Sequence, residues 1–388
     1  MKIFHTADWH LGKLVQGVYM TEEQRHVLAQ FIAAIEEQRP DAVIIAGDLY
    51  DRAVPPTEAV NLLDEVLAKI VLELETPVFA VAGNHDSPGR LNFGSRVMKM
   101  NGIHIAGHVQ KEHEPIVLAD EFGEVHIHLI PYADPSQVRY ALGNPDIRSH
   151  NDAAEAIVEN IKQNLNPEAR HIAVGHAFVT PHGEQQENTS DSERPLSIGG
   201  AEHVEAGHFD GFHYTALGHL HQAHHVLNET IRYSGSPLKY SISEERHQKG
   251  FLIVEMDGSG KVSVEKQLLA PKRDMRTVEG FMEDILRHEI NEDYVFVKLL
   301  DETPILYPME KIRSVYPNAM HVERKNFGQA SGKSGTESRR NMDPMVLFNA
   351  FYEEVKGEKA TEETETVFKE VLQEFLREES DEKEGVKQ

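Results

Sequence analysis

The chain has 388 residues, which at about 100–200 residues per domain argues for two or three domains and excludes one small module. Its 40% hydrophobic and 27% charged residues exclude disorder throughout. A net charge of −25 disfavours a simple electrostatic sleeve for nucleic acid, and the absence of cysteine excludes disulfides, a catalytic thiol and thiolate metal sites, leaving His, Asp, Glu and Asn as metal ligands.

No apolar run approaches the roughly 18–20 residues that span a bilayer; the longest are five-residue stretches such as 42–46 and 78–82. The first residues, Met1 to Asp8, turn polar too soon for a signal peptide, so no membrane association and a cytoplasmic location are expected.

Up to about residue 270, short runs of Val, Ile and Ala alternate with segments of helical period, a pattern of strands and helices in layers. Thr21 to Gln24 has the form of a capping box, after which Val27, Leu28, Phe31, Ile32 and Ile35 share a helical face. Thr57 is expected to cap a second helix with Leu63, Leu67, Ile70 and Val71 in its stripe, and the apolar residues of 60–71 and 91–100 read as core. After Pro271 a small α+β unit is expected, with strands at 294–300 and 320–322 and a helix at 309–315. Residues 328–338 have linker composition. Asp343-Pro344 then opens a helix carrying Leu347, Phe348, Phe351, Tyr352 and Val355, and a second carries Val367, Phe368, Val371, Leu372, Phe375 and Leu376. The expected domains are therefore 1–270, a capping unit at 271–327, a linker at 328–342, a helix-loop-helix at 343–380 and an acidic tail at 381–388.

Four apolar segments run directly into Gly and then a metal-binding side chain: Gly47-Asp48, Gly83-Asn84, Gly175-His176 and Gly218-His219-Leu220-His221. A fifth, from Lys2 to Ala7, ends in Asp8-Trp9-His10. Parallel buried strands deliver their C-terminal ends to one rim, where Gly permits a sharp turn and a close approach. Asp8, His10, Asp48, Asn84, His176, His219 and His221 would meet there, an oxygen and nitrogen set that suits Mn, Fe or Zn better than Mg or Ca. Seven ligands serve two ions if one carboxylate bridges, the arrangement that clamps both oxygens of a phosphoester displacement. Two dications would also give the pocket a local positive charge, so net acidity does not exclude a nucleic-acid substrate.

The ordered motifs D-x-H at Asp8 to His10, G-D-x-x-D at Gly47 to Asp51, G-N-H-D at Gly83 to Asp86, Gly175-His176 and Gly218 to His221 resemble the calcineurin-like metallophosphoesterase superfamily. Thr6 to Gly12, Asn84 to Pro88 and Tyr233 to Pro237 narrow the resemblance to the family of bacterial SbcD nuclease subunits, over essentially the whole chain. The resemblance implies an α/β (α+β) four-layer αββα sandwich with a small capping domain and C-terminal helices. It implies a nucleoid-associated, Mn-dependent DNA exonuclease and endonuclease that acts in repair, recombination and replication. It also implies a homodimer, with parts of 60–71 and 91–100 in the dimer contact, bound to the SbcC ATPase through the C-terminal helices.

By the same resemblance, Asp48 bridges, Asp8, His10 and His221 complete one ion, and Asn84, His176 and His219 the other. His85 is then the acid that protonates the leaving oxygen, with Asp86 orienting or supporting its ring. Some relatives carry His where this chain has Asp51, which is expected instead as a hydrogen-bond partner behind the ligands. For each of Lys13, Arg52 and Arg90 a phosphate contact and a solvated or ion-paired charge are equally expected, while His126, His128, His213, His224 and His225 are expected to be structural or superficial. The alternatives are a phosphatase or cyclic-nucleotide phosphodiesterase with the same metal site, against which the capping unit and tail argue, and a non-catalytic scaffold, against which the intact ligand set argues.

Overall fold

The computed structural model describes residues 1–183, 190, 191, 193 and 203–324, together with 345, 348, 349, 352, 360, 361, 364–369 and 371. Residues Met1–Lys325 pack as one unit and Asn326–Gln388 as another.

The first unit is built on two six-stranded sheets. One runs in the order Val262–Leu268, Gly250–Met256, Lys2–Thr6, Ala42–Ile45, Val78–Val81, Ile103–Ala106. The other runs His224–Val226, Asn228–Tyr233, Tyr214–Gly218, Arg170–His176, Gly123–Ile130, Ile116–Asp120. Alternate side chains of the central strands serve different layers, as the two-residue period of a strand requires. Ile3, Ala42, Ile44, Phe79 and Val81 of the first sheet meet Val125, Ile127, Ile172, Val174 and Ala216 of the second in a dry layer between the sheets. Phe4, Val43, Ile45, Val78 and Ala80 point the other way, onto the helices Thr21–Gln38 and Thr57–Ala68. Helix His150–Lys162 covers the outer face of the second sheet through Ala153, Ile157, Val158 and Ile161. The result is the expected αββα order, and burial on both faces is why these strands read as unbroken apolar runs.

Several local expectations are corrected. The first helix starts at Thr21 after Met20 with no side-chain cap, so the capping box is not formed. The second starts after Pro56, leaving Thr57 as its first residue rather than its cap. Of the stretch 91–100 only Leu91 is buried, whereas Phe93, Val97 and Met100 are exposed.

The expected small α+β unit is a three-stranded parallel sheet, Met275–Gly280, Tyr294–Leu299 and His321–Arg324, with helices Met282–Ile285 and Pro308–Arg313 in its connections. It has its own core around Val278, Val295, Val297 and Ile312, and meets the larger part through Met275, Tyr294 and Phe296 against Val15 and Met20.

In the second unit Phe348, Asn349 and Tyr352 are helical, as are Thr364 to Lys369. The two segments pack on each other: Phe348 stacks on Phe368 with ring centroids 4.0 Å apart, and Asn349 Nδ2 donates to Glu365. The linker at 328–342, the tail at 381–388 and most of the helix-loop-helix at 343–380 lie outside the described residues.

Candidate metal centre

The five strand ends meet at one rim between the sheets. Beyond Thr6 and Ile45 the two neighbouring strands continue as paired loops, in which Asp8 N–H donates to the Gly47 carbonyl and His10 N–H to that of Asp48. Within these loops Asp8, His10 and Asp48 adopt φ of 54°, 45° and 51°, and His219 adopts 111° on the facing sheet. Left-handed backbone at non-glycine residues costs energy and persists where surrounding structure over-determines it. Here it lets Asp8 and His10 face the rim while Trp9 and Leu11 between and after them enter the core. Gly47 and Gly83 make room: a Cβ on Gly47 would lie 2.2 Å from His176 Nδ1, and one on Gly83 2.1 Å from Asp48 Oδ1.

All seven residues anticipated from the sequence are brought together. Asp48 Oδ2 is 3.6 Å from His10 Nε2 and 3.4 Å from His176 Nε2, placing this oxygen between the two halves of the cluster. On one side His10 Nε2 and His221 Nε2 approach to 3.1 Å, and these rings form a potential metal triad with Asp8. On the other, Asn84 Oδ1 is 2.9 Å from His176 Nε2 and 3.3 Å from His219 Nδ1. Asp8 also groups with Asp48 and His176, so its carboxylate borders both halves.

The chemistry of this set fits divalent cations. His176 Nδ1–H donates to the Ala46 carbonyl, which turns Nε2 toward the oxygens of Asn84 and Asp48, where it needs a positive charge. Burial opposes that charge, but Asp48 and then Asp8 raise His176 to about 9. Burial pushes Asp8 up to about 7, and it holds His10 and His219 well below the usual histidine range, leaving neutral imidazoles beside carboxylates. His10 Nδ1 is buried without a hydrogen-bond partner. Oxygen and imidazole donors that crowd without enough protons suit borderline divalent metals.

His85 sits at the edge of this cluster, its ring 4.6 Å from that of His10. Its backbone N–H donates to Asp48 Oδ1, and its Nδ1–H donates to the carbonyl of Asp51 at 2.8 Å, so Nε2 is the ring nitrogen turned away from that carbonyl. The expected pairing of Asp86 with this ring is not made. Asp86 instead accepts the N–H groups of Leu49, Tyr50 and Gly83, stapling the Gly47 and Gly83 loops together, because its buried carboxylate meets three convergent amides. Asp51 lies behind His10, with Oδ1 3.7 Å from His10 Nδ1 and 2.8 Å from Lys13 Nζ, so Lys13 is ion-paired. His126 and His128 are buried and hydrogen-bonded.

Three supports escaped the sequence reading. Gln24 receives the Gly12 N–H and donates to the carbonyls of Trp9 and His10. Glu244 and Lys249 form a buried ion pair behind His221. Nothing local in the sequence marks them, since their partners lie on distant loops.

Stacked mixed sheets with a two-centre His, Asp and Asn cluster at their rim define a calcineurin-like metallophosphoesterase, a class that works with divalent metal ions. Residues 1–223 match the calcineurin-like phosphoesterase family and residues 271–356 the type 5 capsule protein repressor C-terminal domain. The SbcD subunit of the SbcCD nuclease of Staphylococcus epidermidis is 34% identical over 356 residues, which cover 91% of this chain and 92% of that relative. Among solved structures, the protein TT1561 of Thermus thermophilus aligns at 12% identity and a TM-score of 0.39, over 68% of this chain and 98% of its own. A dimetal phosphatase from Danio rerio aligns at 11% and 0.40, over 70% and 97%. The chain belongs to the calcineurin-like phosphoesterase family and, within it, to the family of SbcD nuclease subunits.

Proposed function

We propose that this chain is the nuclease subunit of an SbcCD complex and hydrolyses DNA phosphodiester bonds, as an exonuclease on duplex ends and an endonuclease on single strands and hairpins. The observation that supports it most is the meeting of seven donors from five strand ends around Asp48 Oδ2. Asp8, His10 and His221 would hold one ion and Asn84, His176 and His219 the other, with Asp48 between them; Mn is the preferred metal. Bound divalent ions would offset phosphate charge and acidify water. His85, its Nδ1 tied to the Asp51 carbonyl, would release the Nε2 proton to the leaving oxygen, and Asp86 would keep the two loops in register. The relative's name favours a nuclease over a phosphatase, a cyclic-nucleotide phosphodiesterase or a scaffold.

Hydrolysis of a labelled DNA hairpin with Mn, beside a small phosphomonoester, tests this reading. Replacing His85 by Ala should slow DNA cleavage by about 100-fold or more while ion uptake persists. Turnover of the monoester alone, or unchanged cleavage by the variant, would overturn it.

Residues 1–270 would form the nuclease domain, 271–327 the capping domain that shapes access, 328–342 a linker, and 343–380 the part that docks on SbcC; removing 343–388 should abolish complex formation in a pull-down. The exposed Phe93, Val97 and Met100 would be buried in a homodimer. Sedimentation of Val97→Asp, expected to give a monomer, checks that contact.

A further inference from the structure

Among the four imidazoles of the centre, His221 is held in a distinctive way. Its backbone N–H donates to Glu193 Oε1 at 2.7 Å, its carbonyl accepts from Lys249 Nζ at 2.8 Å, and its Nδ1–H donates to Glu244 Oε1 at 3.0 Å. The residue is thereby held at three points, its backbone at two and its ring through Nδ1, with Nε2 facing His10 Nε2. Glu244 is completely buried, and its second oxygen lies 2.5 Å from Lys249 Nζ, which also donates to Ser236 Oγ. His176, on the other side of Asp48, gives its Nδ1–H to a backbone carbonyl at 2.9 Å, with Asp8 Oδ1 3.9 Å away. A carboxylate behind a ligating imidazole fixes the tautomer and makes the ligand more basic, whereas a neutral carbonyl does less. Lys249 gives that buried carboxylate a counter-charge inside the protein, since a buried charge is stable only when paired and hydrogen-bonded.

We infer that Glu244 and Lys249 are positioning residues, which hold His221 as its Nδ1–H tautomer and so secure the ion bound by Asp8, His10 and His221. The inference rests on the two-ion reading of the centre. Both residues bond to His221, and among the described residues no hydrogen bond joins either to Asn84, His176 or His219, so their effect falls on one ion of the two.

Calorimetric titration of the metal-free full chain with Mn2+ tests it. The wild type should take up two ions. Glu244→Gln alone would strand the Lys249 ammonium, so it is combined with Lys249→Met, which removes both buried charges. One of the two binding events should weaken by about 10–100-fold and the other should stay as in the wild type. Glu244→Asp keeps the ion pair and the fold while drawing the carboxylate back by one methylene, and should weaken the same event to a lesser degree. A role in folding alone would lower the unfolding temperature and depress both events together. If the variants, folded as judged by unfolding temperature, bind both ions like the wild type or lose both equally, the inference is overturned. If the wild type itself takes up no ion, the two-ion reading fails instead.

Discussion

At the scale of single residues, the centre depends as much on what is missing as on what is present. Gly83 has no β-carbon because Asp48 occupies that volume: a Cβ would meet Asp48 Oδ1 at 2.1 Å and Asp48 N at 2.4 Å. Backbone cannot retreat from such an overlap, so Gly83→Ala must displace the carboxylate that lies between His10 and His176. Overpacking of this kind costs roughly 1–3 kcal/mol. We expect Gly83→Ala to lower stability by that amount in urea unfolding and to abolish or severely weaken Mn2+ uptake. Gly89→Ala is the internal comparison, because nothing lies within 4 Å of a Cβ there; it should bind ions normally. Equal ion uptake by the two variants would mean that the Asp48 carboxylate is not confined by its neighbour.

At the scale of elements, the helix Thr21–Gln38 shows what a sequence reveals and what it hides. Its apolar stripe at Val27, Leu28, Phe31 and Ile35 was legible and is buried, since the 3.6-residue period reports which side chains share a face. Its start was misread: Thr21 to Gln24 matches a capping pattern, yet Gln24 turns inward to the loop that carries Asp8 and His10. A local pattern cannot show that a distant loop competes for the same side chain. The stretch 91–100 failed for a related reason, because periodicity gathers apolar residues on a face without saying what covers it. The seven donors were legible because each lies at or within a few residues of the end of a buried strand, whereas Gln24, Glu244 and Lys249 stand behind them with no such marker. Replacing Gln24 by Ala would leave the Gly12 N–H without its acceptor and take one of two donors from the His10 carbonyl, which keeps the Lys13 N–H, at a cost of about 1–3 kcal/mol. The urea midpoint should fall accordingly, and Mn2+ affinity with it as the loop loosens. An unchanged midpoint would show that Gln24 does not hold this loop.

Across the whole molecule, the histidines serve the fold as well as the centre. Of the 23 histidines, five stand at the centre as His10, His85, His176, His219 and His221. Others build structure in the second sheet. His171 Nε2–H donates to the Asn166 carbonyl, so its Nδ1 accepts from His128 Nε2–H, and His128 Nδ1 in turn accepts from His113 Nε2–H. This chain works only with neutral rings. Burial first, and then the neighbours His113, His171 and His126, lower His128 to about 3. The unfolded chain takes up a proton there near the ordinary value of 6.5, while the folded chain refuses it until about 3, so His128 subtracts stability progressively as pH falls below 6.5. The loss is at most about 1.4 kcal/mol per pH unit. Asp8 and Asp86, both raised to about 7 by burial, act in the opposite sense over the same range, because the folded protein protonates them more readily than the unfolded chain does. The pH profile of the wild type alone is therefore a sum of opposing contributions, and a difference between two proteins isolates the histidine. Gln in place of His128 keeps an amide donor and acceptor but cannot be charged. Relative to wild type, His128→Gln should gain up to about 2 kcal/mol between pH 6.5 and pH 5 in urea unfolding, whatever its absolute stability at neutral pH. A difference that stays constant across that interval would mean that His128 accepts its proton in the folded protein as freely as in the unfolded one.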